Sequence, residues 1–242
     1  MLGEIGAPRD VAGVYWGVTF ANLELGRLDE AEAWLGRAAE DNSGSPEDDE
    51  DPGAFQFVLA ARAELALARG EVEEGLGLWR RAVFDAPADD ADEEGLRPWT
   101  LETWSGALGA HARFRRVDLV PHLMAQLPRQ LALMLANPMR RPPIYILEQQ
   151  LAGAALVALG MADIATGATR SGVRLVALAE RFKYLRGFRP TLTARDVRAA
   201  VAEADEPAYT DALSEYAGLD TDGLRDAALA ALRARVSAAG PG

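Results

Sequence analysis

The sequence predicts an all-α protein, an α-solenoid in which about 10–12 helices stack as antiparallel pairs within a single domain over residues 1–242. Three observations lead there. Ala and Leu dominate, β-branched runs are scarce and aromatic residues make up only 7%, a composition that favours helix over sheet. Gly26 and Gly70 are each followed, five, nine and twelve residues on, by a small, a bulky and a small side chain: Ala31, Leu35 and Ala38, then Gly75, Trp79 and Ala82. Residues 153–179, GAALVALGMADIATGATRSGVRLVALA, read as two short helices folded around Gly167, with Gly160, Gly172 and Ala179 small enough to let the two backbones approach.

Taken in order, residues 9–25 form a first helix carrying Tyr15, Trp16, Phe20, Leu23 and Leu25 and stopped at Gly26, where a left-handed cap suits glycine. Its partner runs from Leu28 to about Glu40. Residues 41–53, DNSGSPEDDEDPG, join turn formers to a run of acid and read as a surface loop. The pattern resumes over residues 55–70 and again after Gly70, with Pro87 closing the second pair. A second acidic loop covers residues 88–98. The third first-helix, residues 99–114, places Leu108 and Gly109 where the fourth has Leu159 and Gly160. Its partner is degenerate. Arg116 stands at the turn glycine, Pro121 and Pro128 fall on the small-residue positions, and Asp118 could cap a helix with Pro121 in its first turn.

Leu131 to Leu135 then reads as a further short helix, and NPMRRPP at 137–143 as a break that kinks the stack. The repeats therefore span about 9–40, 54–87, 99–128 and 144–182. Helices over 193–236 close one end: Thr193 with Asp196 forms a capping box for a helix to about Ala204, Asp205 caps another to about Ala217, and Asp220 or Thr221 starts the last, to about Val236. Before Trp16 and Phe20 there is no comparable closure. An open stack exposes its core, so either a second protomer covers that face, as in a homodimer, or the chain is a piece of a longer array; the fragment reading is favoured.

Leu159 and Gly160, Gly167, Gly172 and Ala179 together resemble the tetratricopeptide repeat, with Leu-Gly on the first helix, Gly at the turn and small residues on the second. Such repeats are scaffolds whose first helices line a groove. Transferring the family's groove offsets implies Trp16, Phe20 and Leu23 in the first repeat, Phe57, Glu64 and Leu67 in the second, Arg113 and Phe114 in the third, and Met161 and Ile164 in the fourth. That surface is apolar with few charges and suits an amphipathic partner helix or a small apolar ligand better than an acidic peptide. The alternative is that the same residues simply pack a tightly wound superhelix.

Further on, LVALAERFKYLRGFRPTLTARDVRAAVAEAD followed by YTDALSEYAGLDTDGLRDAALAALRAR resembles the C-terminal part of large actinobacterial transcriptional regulators of the SARP type, which carry a bacterial transcriptional activation domain (BTAD). In that family a DNA-binding domain and often an NTPase domain precede a tetratricopeptide-like array that senses signals or controls self-association. The resemblance covers residues 144–236. No winged-helix segment and no P-loop is found here, so it implies only the sensing or interaction module.

Composition narrows the chemistry. With 0 cysteines there are no disulfides, thiolate metal sites or cysteine nucleophiles, which suits a reducing cytoplasm. The start, MLGEIGAPRD, has neither a basic nor an apolar signal region, and the longest apolar run, Leu151 to Ala162, is too short to span a bilayer. No membrane association is expected. A net charge of -12 repels polyanions, so no direct nucleic acid binding is expected. Acid gathers at Glu47 to Asp51 and Asp89 to Glu94. Base gathers at Arg113, Arg115 and Arg116, at Arg140 and Arg141, and at Arg181, Lys183, Arg186 and Arg189, as solvated loops and helix ends do.

The phosphate, dinucleotide, zinc and serine-nucleophile signatures are absent. His111 and His122 lie on different helices and read as structural or surface residues. Asp90, Asp92, Glu94 and Gly95 imitate a calcium loop, but Leu101 stands where a bidentate glutamate is needed. Asp89, Asp90 and Glu93 spell DDxxE, the magnesium-diphosphate motif of terpene synthases, and define the competing reading: an all-helical metal-dependent enzyme using acidic carboxylates. Against it, the motif falls in a loop and has no second metal motif. The sequence thus points to a non-catalytic regulatory scaffold with no cofactor, binding a protein partner, a second copy or a small apolar ligand.

Overall fold

The computed structural model describes residues 8–42, 52–84, 98–137, 144–182 and 190–238. Among them are ten α-helices and two 3-10 turns, with no strand, so the expected all-helical class holds. No described helix is long and apolar enough to cross a membrane. The helices fall into two compact units, one of Met1–Pro87 with Arg186–Thr193 and one of Ala88–Leu185 with Ala194–Gly242.

The first unit holds α1 (Pro8–Glu24), α2 (Leu28–Asn42), α3 (Pro52–Ala68) and α4 (Val72–Phe84). α1 pairs with α2, α3 pairs with α4, and α3 also packs on α1 and α2. Phe20 and Leu23 of α1, Ala31 and Leu35 of α2, and Ala61 and Leu65 of α3 meet in one apolar core. In the second pair, a Cβ on Gly75 would lie 2.5 Å from Leu67 Cγ and 3.0 Å from the Ala63 carbonyl oxygen, so this position must be small for α4 to seat on α3. The 3-10 turn Pro190–Leu192 packs on α3 and α1.

The second unit holds α5 (Pro98–Arg113), a 3-10 turn (Val117–Leu119), α6 (Pro121–Ala136), α7 (Ile144–Ala165), α8 (Thr169–Arg181), α9 (Ala194–Tyr216) and α10 (Thr221–Ala238). α7 is central and packs on α5, α6, α8 and α9; α10 lies on α6 and α8. α9 is two helices joined at Asp205 (φ -169, ψ 81), whose Oδ1 accepts the Ala208 N–H at 3.0 Å, and Asp220 caps α10 through the Gly223 N–H at 2.9 Å. Both caps match the sequence expectation.

Local chemistry explains the boundaries. Pro8, Pro52, Pro98 and Pro121 each open a helix, where a missing N–H costs nothing and φ is already set. One turn ends the first helix of each of four pairs. Gly26, Gly70 and Gly167 take φ of 69, 83 and 90, and Arg115 takes 55. At each, the N–H of that residue bonds back three residues and the next N–H bonds back five: Gly26 to Leu23 and Arg27 to Asn22, Gly70 to Leu67 and Glu71 to Ala66, Gly167 to Ile164 and Ala168 to Asp163, Arg115 to Ala112 and Arg116 to His111. This is the Schellman motif, which satisfies carbonyls the helix end would strand.

The third pair departs from the sequence reading in three ways. The left-handed turn residue is Arg115, not Arg116, so Val120 and Leu127, both 0% exposed, take the inward positions expected for Pro121 and Pro128. Asp118 caps nothing at the start of α6, whose N-cap is Val120 with no side-chain hydrogen bond. Leu131 to Leu135 is not a separate helix, because α6 continues through Pro128 to Ala136.

Candidate functional site

Of the ten residues expected to line a groove, five are closed inside their own units. Phe20 (6% exposed) and Leu23 (3%) belong to the first unit's core, Leu67 packs over Gly75, Met161 is buried in α7, and Glu64 is only 2% exposed. Phe57, Phe114 and Ile164 are half-buried, and Ile164 Cγ1 faces Gly172 across the α7 and α8 contact. Arg113 is exposed and donates to Asp196 on α9 at 2.7 Å. The Trp16 side chain lies outside the described residues, as do the acidic runs at Glu47 to Asp51 and Asp89 to Glu94 with their DDxxE motif.

Glu64 forms the polar centre of the first unit. Its Oε1 accepts the Trp79 indole N–H at 3.2 Å, and its Oε2 accepts the Thr191 backbone N–H at 2.9 Å and the Thr191 hydroxyl at 2.5 Å. A carboxylate taken from water needs such donors to offset desolvation. Those bonds fix the Pro190–Leu192 turn on α3 and hold α4 beside it. Glu64 therefore acts here as a tie between segments.

The second unit has its own buried polar cluster. Asp163 of α7, 3% exposed, accepts the Arg235 Nε–H of α10 at 2.8 Å and the Ser171 hydroxyl of α8 at 2.7 Å. Arg235 also donates to the Met124 carbonyl at 3.2 Å, with its other terminal nitrogen 3.5 Å from Met124 Sδ. Sequence reasoning missed both ends of this cluster. Its signals were Asp163, the one acid in the apolar stretch from Leu151 to Ala165, and Arg235, three residues past the stripe of Leu224, Ala228 and Leu232.

At the surface, the Arg174 guanidinium sits 2.7 Å from Glu215 and 5.5 Å from the centre of the Tyr216 ring. Hydrogen bonding to Arg174 pulls the Glu215 carboxyl below its usual range, while burial pushes the Tyr216 hydroxyl up. In the first unit, the hydrogen bond from Arg69 likewise lowers Glu32. His111 is 0% exposed, and its Nδ1–H donates to the Ala107 carbonyl at 2.7 Å, the disposition of a core histidine. Among the described residues, no three His, Asp or Glu side chains gather as metal ligands would. The buried carboxylates Glu64 and Asp163 each join separate segments of their own unit. No protein-family model, curated protein or solved structure matches the chain.

Proposed function

We propose that the chain is a non-catalytic regulatory scaffold, the sensing or protein-interaction module of a bacterial transcriptional regulator, which binds a partner helix or a small apolar ligand along the first helices of its pairs. The observation that carries this reading is the recurrence of one Schellman turn at Gly26, Gly70, Arg115 and Gly167, each followed five residues later by a buried small or apolar residue, Ala31, Gly75, Val120 and Gly172. A unit repeated in this way keeps its inner contacts fixed and leaves its outer face free to vary, which is how helical arrays build recognition surfaces. Phe114 and Ile164 of the second unit are half-buried and leave apolar area of the kind such a ligand covers.

Native mass spectrometry of the purified chain, compared with its denatured mass, tests the proposal. A retained small molecule, a protein partner or a dimer supports it. A bare monomer whose melting temperature is raised by magnesium and by no apolar ligand overturns it in favour of carboxylate-metal chemistry. Deleting Asp89 to Glu94 should leave ligand-induced stabilisation unchanged.

A further inference from the structure

The seat of α10 in the second unit makes an unusual demand on whatever fills it. α10 lies on α6 and α8 through one stripe, Leu224, Ala228 and Leu232, exposed at 8%, 0% and 2%. Three residues further on, Arg235 turns inward with its side chain 13% exposed and meets Asp163, whose side chain is 4% exposed. Asp163 is fixed on α7 and needs a cation, because an acid this buried is costly without one. The second acceptor is set by Pro128. It stands four residues after Met124 inside α6 and has no N–H, so the Met124 carbonyl loses its usual helical donor. Arg235 supplies that hydrogen bond too.

An apolar stripe alone would leave the Met124 carbonyl without this donor and the Asp163 carboxylate without a cation, held only by the Ser171 hydroxyl. The seat therefore selects a helix with small and branched apolar residues at i, i+4 and i+8 and an arginine at i+11. We propose that this surface is a specific helix-docking site, filled within the chain by its own α10 and open to the α10 of a second copy. Every copy carries both the seat and the matching helix, and the connection Ala217–Asp220 contains Gly218 and is largely exposed. Contacts given up within one chain are regained between two, so exchange costs little beyond opening that connection. The inference does not rest on the proposed groove, whose residues lie on the first helices of the pairs.

Two full-length variants test it, Asp163→Arg and Arg235→Asp. Each sets like charges against one another in its own clasp. When they are mixed, the seat of either meets an oppositely charged helix from the other. The expected result is a heterodimer at twice the 25.9 kDa chain mass by light scattering, formed only in the mixture. A mixture that stays monomeric overturns the proposal. Should either variant be unfolded by circular dichroism, the wild-type chain decides. A labelled peptide of residues 219–238 should bind it saturably, and its Arg235→Asp counterpart at least about tenfold more weakly. Equal binding of both peptides, or binding of neither, overturns the proposal.

Discussion

Gly160 and Gly172 face each other across α7 and α8 so closely that a Cβ on Gly160 would lie 2.7 Å from the Gly172 carbonyl oxygen, and a Cβ on Gly172 2.5 Å from the Gly160 carbonyl oxygen. Because the obstacle is backbone, a rotamer change cannot relieve it. Helix propensity alone would make Gly160→Ala stabilising by about 1 kcal/mol. Overpacking should outweigh that gain, leaving Gly160→Ala destabilised and Gly160→Leu destabilised by ~1 to 3 kcal/mol or more in chemical denaturation. Gly36, with nothing within 4 Å of an added Cβ, is the control. Gly36→Ala should raise stability by about 0.5 to 1 kcal/mol. Equal effects at the two positions would contradict the close α7 and α8 contact.

Arg115 occupies at φ 55 the position that glycine fills in the other three Schellman turns. The left-handed conformation costs a residue with a Cβ roughly 1 to 2 kcal/mol, part of which glycine returns as extra freedom in the unfolded chain. Arg115→Gly should therefore stabilise the protein by about 0.5 to 1 kcal/mol, read as a higher denaturant midpoint with an unchanged slope. Arg116→Gly, one residue on, should not stabilise it. The reverse order would restore the register suggested by the Leu108 and Gly109 pair.

That one-residue difference marks how far the sequence could be read. Gly26, Gly70 and Gly167 announced their turns because a positive φ all but requires glycine, and Asp205 and Asp220 announced helix starts because a capping carboxylate acts over three residues. Nothing local distinguishes Arg115 from Arg116, and matching Leu108-Gly109 to Leu159-Gly160 shifted the third pair. The groove offsets implied by the resemblance to tetratricopeptide repeats picked out Glu64, Leu67 and Met161, yet such offsets cannot tell what covers each residue. Glu64 is held by a residue 127 positions away, and Asp163 by one 72 away. Such partners are set by tertiary packing.

Alkaline pH should expose the burial of Tyr216. Its folded-state pKa lies above the ordinary value of about 10, chiefly because burial disfavours the phenolate, with the Arg174 guanidinium opposing. A raised pKa gives stability that is complete below the unfolded value and is lost as pH rises toward the folded one. Melting temperature should thus fall above pH ~10, and Tyr216→Phe should make that fall shallower. Glu215 runs the opposite way. Its lowered pKa gives stability present above its ordinary value and lost on acidification, and solvent screening at so exposed a carboxylate keeps that effect small. A Tyr216→Phe profile identical to wild type would show that the hydroxyl is not desolvated.

Glu64 should matter through its charge as well as its shape. Glu64→Gln keeps the side-chain length but replaces one acceptor oxygen with an NH2. That group would face either the Trp79 indole N–H or the two Thr191 donors, leaving a buried donor without an acceptor whichever way the amide is turned. The cost should be about 1 to 3 kcal/mol. Thr191→Val removes only the hydroxyl and keeps the backbone N–H bond, so it should cost less, about 1 kcal/mol. Amide hydrogen exchange supplies the local readout. The Thr191 amide should lose protection in Glu64→Gln and largely keep it in Thr191→Val, because the 3-10 turn stays anchored as long as the carboxylate holds that N–H. If the hydroxyl deletion cost more than the amide substitution, the side-chain bond rather than the backbone bond would be what seats the turn on α3.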